Sequence, residues 1–169
     1  MVDRDVLDEC QRQRAVRGGA ERRTGTFTPF ARGDDGIVVL TDTDGTSRSG
    51  ETRQVRARMV VGADGALSPI ARQCVPRAPI PIKRLPCWDN GRDVVLAGDA
   101  AGVVAPASGE GILYAMTGGR FAAQAVEEAM AAGKVKALRS SRSNLLQKSR
   151  ASHRSRDRVS LRPPSACKC

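Results

Sequence analysis

The chain has 169 residues, enough for one modest domain, and a net charge of +10. Of its 28 basic and 18 acidic residues, 11 and one respectively fall in 134–169, which leaves the first 133 residues with 17 of each, so any pull toward nucleic acid or an anionic surface resides in the tail and not in the body. Five cysteines at 10, 74, 87, 167 and 169 form no Cys-x-x-Cys pair, and His153, the sole histidine, has no metal partner at a recognised spacing, so the sequence gives no support to a disulfide framework, a zinc site or Ser–His–Asp chemistry.

Asp3 stands where it can cap a helix running to about Arg17, with Val2, Val6, Leu7, Cys10 and Val16 mainly on one side. The charged start has no apolar core behind it and does not read as a signal peptide. Nowhere is there the run of about 18 apolar residues that a membrane span requires. Gly18-Gly19 stops the helix. Three strands are predicted next, Glu21–Phe30, Ile37–Leu40 and Gln54–Val61, the last polar at first and apolar at its end. Turns at 33–36 and 42–45 separate them. Ser68-Pro69 opens a short helix, with serine at the cap and proline in the first turn. Prolines 76, 79, 81 and 86 keep Val75–Trp88 from forming a regular helix. Val94–Ala97 reads as a short buried strand. A long helix follows from near Gly109 to Ala132, with Ile112, Ala115, Met116, Gly119, Ala123, Val126 and Met130 as its apolar stripe and Gly133 as its stop. From Lys134 onward, eight serines and many arginines show no sustained apolar period, and the tail reads as disordered.

Two segments carry chemistry. One is Val60-Val-Gly-Ala-Asp64-Gly65, leading into the Ser68-Pro69 helix. The other is Val94-Val-Leu-Ala-Gly98-Asp99-Ala-Ala-Gly102, continuing through Pro106, Gly109 and Gly111. Each is an apolar strand, a Gly/Asp turn and a helix start. Glycine lets a ligand approach the backbone, a helix N-terminus offers free N–H groups to an anion, and an aspartate can accept hydrogen bonds from a sugar hydroxyl. Strand–Gly-Asp–helix turns are also common as plain turn chemistry. The second segment exceeds that need: six glycines from Gly98 to Gly119 suit a backbone kept clear for a flat ligand, with close helix packing the competing account of Gly118-Gly119.

Through Asp64-Gly65 and Gly98-Asp99 the chain resembles the flavoprotein group that includes aromatic hydroxylases and geranylgeranyl reductases. The string from Gly98 to Ile112, GDAAGVVAPASGEGI, is similar to the geranylgeranyl reductases of chlorophyll and, above all, bacteriochlorophyll synthesis. Asp3-Arg4-Asp-Val-Leu-Asp8 and Gly19-Ala-Glu21 extend the resemblance, which covers about 1–132. It implies an α/β FAD-binding domain of the hydroxylase-like type with a β-meander. It further implies Asp99, after Gly98, on the flavin ribityl chain, and Gly102, Pro106, Gly109 and Gly111 against the isoalloxazine and pyrophosphate. Asp64 and Gly65 would lie near the flavin and the nicotinamide, with Arg4 as a secondary flavin contact. The implied activity is NADPH-driven, FAD-dependent reduction of geranylgeranyl double bonds, on a pigment or on the diphosphate. The implied location is the cytoplasm, or the periphery of a photosynthetic membrane. No nucleic-acid partner is implied.

The chain departs from that family in three ways. It has no Gly-x-Gly-x-x-Gly turn for the ADP half of FAD and is read as beginning downstream of it. Only 35 positions separate Asp64 from Asp99, too few for the family's substrate domain. The Ser/Arg tail replaces further helices and resembles a shifted reading frame in a GC-rich gene. The expected organisation is therefore an incomplete FAD-binding domain over 1–133: helix, meander and Asp-Gly motif to 74, a proline-rich junction over 75–92, and the Gly-Asp motif with the long helix over 93–133. A tail over 134–169 follows. The function by resemblance is that of a reductase fragment with impaired activity. A flavin-binding module completed by another chain, and a basic tail that binds nucleic acid or a membrane surface, are the alternatives. No catalytic acid or base can be named.

Overall fold

The computed structural model describes residues 3–33, 35, 38–43, 52–74, 85, 87–103 and 111–147. They sort into two compact units, Met1–Ala31 with Val39–Arg56, and Arg32–Val38 with Ala57–Cys169. Helix and sheet are mixed, and the described strands close no barrel.

In the first unit, α1 (Arg4–Arg17) begins where its cap predicts: the Asp3 carboxylate accepts from the Asp5 N–H at 3.0 Å. The chain then turns through Gly18 and Gly19, the latter at φ +96°. The expected apolar stripe is not a buried one. Val6 and Val16 are 59% and 46% exposed, and no described side chain of α1 is buried. Arg22 pairs with Glu9 at 2.8 Å and ties the following segment to the helix. Strands β1 (Thr26–Arg32), β2 (Val38–Thr43) and β3 (Thr52–Ala57) hydrogen-bond in chain order, the order of a meander.

The single strand expected over Gln54–Val61 is two. β3 ends at Ala57, and after Arg58-Met59 the chain enters a different sheet as β4 (Val60–Gly62). The polar half stays largely exposed, whereas Val60 and Gly62 are buried, so the change in composition marks a change of sheet.

The second unit is built on β4 and β5 (Val94–Leu96), which run parallel with Val60 opposite Val94 and Gly62 opposite Leu96. Their crossover contains α2 (Pro69–Cys74), capped by the Ser68 hydroxyl, which accepts from the Ala71 N–H at 2.8 Å. All three residues of β5 are buried. Its far side bonds to the 88–90 segment: Leu96 N–H donates to the Trp88 carbonyl at 2.6 Å, and Asn90 N–H to that of Val94 at 3.2 Å. Just before β5, the buried Asp93 carboxylate takes a bidentate pair from Arg32, at 2.7 and 2.9 Å, and a third bond from Asn90 at 2.8 Å.

Helix α3 (Ile112–Ala132) packs on this framework with a face one position away from the expected stripe. Gly118, Ala122, Ala125 and Ala129 are buried, whereas Ile112, Met116, Ala123 and Met130 are exposed. Small residues face inward because the approach is close: a Cβ on Gly118 would stand 3.7 Å from the Gly98 nitrogen. Gly133, at φ +62°, ends the helix as predicted.

The tail departs from its expected disorder over its first part. A 3₁₀ turn at Val135–Arg139 leads into α4, helical over 140–147, and Leu138, Ser141 and Leu145 are buried at 1%, 1% and 3% exposure. Leu138 joins Val95, Ala97, Ala122 and Ala129 in the core, with Met59, Val126 and Ala137 packed against it. Two leucines seven residues apart recover enough apolar burial to order this stretch despite its Ser/Arg surroundings.

Candidate functional site

Parallel pairing sends both motifs to the same edge. β4 and β5 end in register, and the Ala97 N–H donates to the Gly62 carbonyl at 2.9 Å, so Asp64-Gly65 and Gly98-Asp99 leave the sheet from adjacent carboxyl ends. That edge of an open α/β sheet is where helix N-termini and strand ends together leave backbone groups for a ligand.

At the first turn the two oxygens of Asp64 have structural partners. Oδ1 accepts from the Ser68 hydroxyl at 2.6 Å and Oδ2 from the Ile70 N–H at 3.2 Å. Asp64 thus holds the start of α2 in a relay with Ser68. Its side chain remains solvent-exposed, so its outward lone pairs stay available. Gly65 takes φ +83°, a conformation that needs glycine. Gly62 is required for another reason. A Cβ there would lie 2.8 Å from Leu96 Cδ2 and 2.9 Å from Ile70 Cγ2, so α2 sits on the sheet only over a bare backbone.

At the second turn, Gly98–Ala101 forms a 3₁₀ turn closed by Gly102 at φ +71°. The Gly102 N–H donates to the Asp99 carbonyl at 3.0 Å, and the Val103 N–H to that of Gly98 at 3.2 Å. Gly98 itself stands at φ +59°, 3.5 Å from the Ala115 Cβ by the position its own Cβ would take. The Asp99 side chain is half-buried and has no hydrogen-bond or ionic partner among the described residues. It lies at the start of α3, where a Cβ on Gly111 would come 4.0 Å from its Oδ1. A half-buried carboxylate with no partner among the described residues, beside a helix start that no described side chain caps, can accept from a neutral polyol.

Six of the nine sequence-predicted residues therefore belong to the second unit: Asp64, Gly65, Gly98, Asp99 and Gly102 in its two turns, and Gly111 at the start of α3. Arg4 is on α1 in the first unit, and Pro106 and Gly109 lie outside the described residues. The sequence reading did not single out Gly62 or Ser68 as site residues. The signal for both was present: a glycine at the end of an apolar strand, and a serine-proline start four positions after an aspartate. Among the described residues, no three His, Cys, Asp or Glu side chains gather to hold a metal, and no described helix is long and apolar enough to cross a membrane.

The site defines a mixed α/β protein with two Gly/Asp turns side by side at a parallel sheet edge. Comparison with known proteins gives it kin. The chain is 31% identical, over 233 aligned positions, to the geranylgeranyl diphosphate reductase of Rhodobacter capsulatus. The match takes in 87% of this chain, which spans 59% of the relative's length. The chain is thus a homologue of a geranylgeranyl diphosphate reductase, and the resemblance read from its Gly/Asp motifs is borne out. No family model and no solved structure matches it. The alignment is longer than the chain: 87% of 169 residues is about 147, which leaves about 86 of the 233 positions without a residue of this chain.

Proposed function

We propose that the chain is a piece of an FAD-dependent reductase that hydrogenates geranylgeranyl double bonds with NADPH, in the branch serving bacteriochlorophyll and chlorophyll synthesis, and that its own flavin binding is weak. One observation carries the reading: two Gly/Asp turns meet at one sheet edge, and one of them bears an aspartate without a protein partner among the described residues. The residues fit half of a flavin site. Asp99 would accept from a ribityl hydroxyl, with the half-buried Gly111 beside it, while the buried Gly98 and Gly102 shape the turn and let α3 pack against it through Ala115. Asp64, through Ser68, would hold the neighbouring turn in shape. Bound flavin would supply the hydride chemistry, and the chain would orient it and keep water away. Among these 169 residues no Gly-x-Gly-x-x-Gly turn for the ADP half occurs. The roughly 86 aligned positions that this chain leaves empty support an internal deletion of the substrate-bearing region.

A second reading is a module completed by another chain. It is favoured by β4, which has no strand on its outer side among the described residues.

Incubation with FAD, desalting and an absorbance spectrum test both readings. The expected protein comes off colourless, yet perturbs the flavin spectrum saturably in excess FAD, and Asp99→Ala abolishes the perturbation while far-UV circular dichroism is unchanged. A stoichiometrically yellow product would overturn the impairment, and no perturbation at any FAD concentration would overturn the half-site. A co-expressed chain carrying the missing glycine-rich turn that restores tight flavin binding would favour the second reading.

A further inference from the structure

The charge surplus of the chain lies in 134–169, and the fold fixes where it starts. Helix α3 ends at Gly133, whose left-handed backbone turns the chain, and the buried Leu138, Ser141 and Leu145 anchor the segment beyond it. On either side of Gly133, residues 130–136 (MAAGKVK) are seven consecutive exposed positions. Met130 and Val135 are 42% and 37% exposed, and neither belongs to the core cluster. Within seven positions this corner therefore carries two exposed apolar residues and the exposed Lys134 and Lys136. An anionic lipid surface takes up such a corner well, with ammonium groups among the headgroups and apolar side chains just below them. Residues 148–169 add seven more Lys and Arg against Asp157, which strengthens attraction to a negative surface. Glu127 and Glu128, exposed on α3 before the corner, oppose it. Nucleic acid is a poorer fit. It would gain from the lysines but not from Met130 or Val135, and no aromatic residue follows Phe121 to stack on bases.

We propose that the corner between α3 and α4, formed by Met130, Lys134, Val135 and Lys136, is a docking surface for an anionic phospholipid bilayer. Neither Asp64 nor Asp99 takes part, so the proposal stands or falls separately from flavin binding.

The test is sedimentation of the full chain with phosphatidylcholine vesicles, with and without ~30% phosphatidylglycerol, at ~0.1 M and ~0.5 M salt, where screening differs most. The chain is expected to partition onto the anionic vesicles alone and to leave them as salt rises. The double variant Lys134→Gln/Lys136→Gln loses about 30-fold in partition coefficient. Val135→Ser and Met130→Ser each lose about 5-fold, although neither changes a charge. All four positions are exposed, and circular dichroism checks that the variants remain folded. No partition onto anionic vesicles would overturn the proposal. So would partition that Val135→Ser and Met130→Ser leave unchanged, or equal affinity for a DNA duplex, since either would reduce the tail to a general polyanion binder.

Discussion

Replacing Gly62 by alanine tests the packing that brings the two turns together. The added methyl would stand 2.8 Å from Leu96 Cδ2, 2.9 Å from Ile70 Cγ2 and 3.3 Å from Ile70 Cβ. Leu96 is 1% exposed and Ile70 7%, so neither can move aside without displacing other core atoms. Overpacking of this kind costs about 1–3 kcal/mol, which in a chain of this size lowers the melting midpoint by roughly 2–4 °C per kcal/mol. Trp88 is the only tryptophan and is 1% exposed, so its emission in a urea titration reports this core directly. Gly118→Ala is the matched control. Its Cβ would meet the Gly98 nitrogen and Leu145 Cδ2 at 3.7 Å, ordinary contact, in a helix interior where alanine is worth about 0.5–1 kcal/mol over glycine. The two substitutions should therefore move stability in opposite directions. A Gly62→Ala protein as stable as the parent would refute the close seating of α2 on the sheet.

The same framework gives two further outcomes. Burial alone would push the Asp93 carboxyl up, but the hydrogen bonds from Arg32 and Asn90 and the charges of Arg32 and Arg92 outweigh it and hold it below the usual carboxylate range. A depressed folded value means that the pair stabilises fully above the ordinary aspartate pKa of about 3.9 and is lost as pH falls through the lower folded value. The stability gap between the parent and Asp93→Asn should therefore be largest near neutrality and shrink below pH ~4. Urea midpoints across pH measure it, and a gap that widened in acid would contradict the ion pair. Leu145→Ala should cost about 2–5 kcal/mol, against less than ~0.5 kcal/mol for Ser143→Ala on the exposed side of the same helix. Equal effects at the two positions would mean that α4 is not docked.

Local signals were legible in the sequence, and distances were not. Asp3, Ser68-Pro69 and Gly133 mark helix ends by short-range hydrogen bonding and backbone preference, and the structure uses each accordingly. The buried face of α3 was misjudged because ranking by hydropathy favours Ile112, Met116 and Met130. Close approach to Gly98 selects instead the smallest side chains, at Gly118, Ala122, Ala125 and Ala129. The break at Arg58-Met59 was hidden because a strand that turns apolar reads as continuous when its partners are unknown. Leu138 and Leu145 were lost among serines and arginines, since two residues carry too little periodicity to stand out. At the site, the identity of the turns was readable from Gly and Asp spacing. That Asp64 is engaged by Ser68 and Ile70, while Asp99 has no partner among the described residues, depends on tertiary placement.

The parallel register of β4 and β5 also leaves the segment between them open to insertion, provided that the Asp64 turn, α2 and the 88–93 stretch are kept. About 31 residues now join Gly62 to Val94, and the strands meet through backbone bonds that do not depend on what else the connection contains. If all of the roughly 86 positions present in the Rhodobacter relative and missing here were housed in that connection, closure entropy would rise by only about 1 kcal/mol. A whole substrate-recognising cassette could be spliced in or out at this crossover while the two Gly/Asp turns stayed neighbours. The pair is the kind of seam at which recombination can change what an oxidoreductase acts on without dismantling where its cofactor would rest.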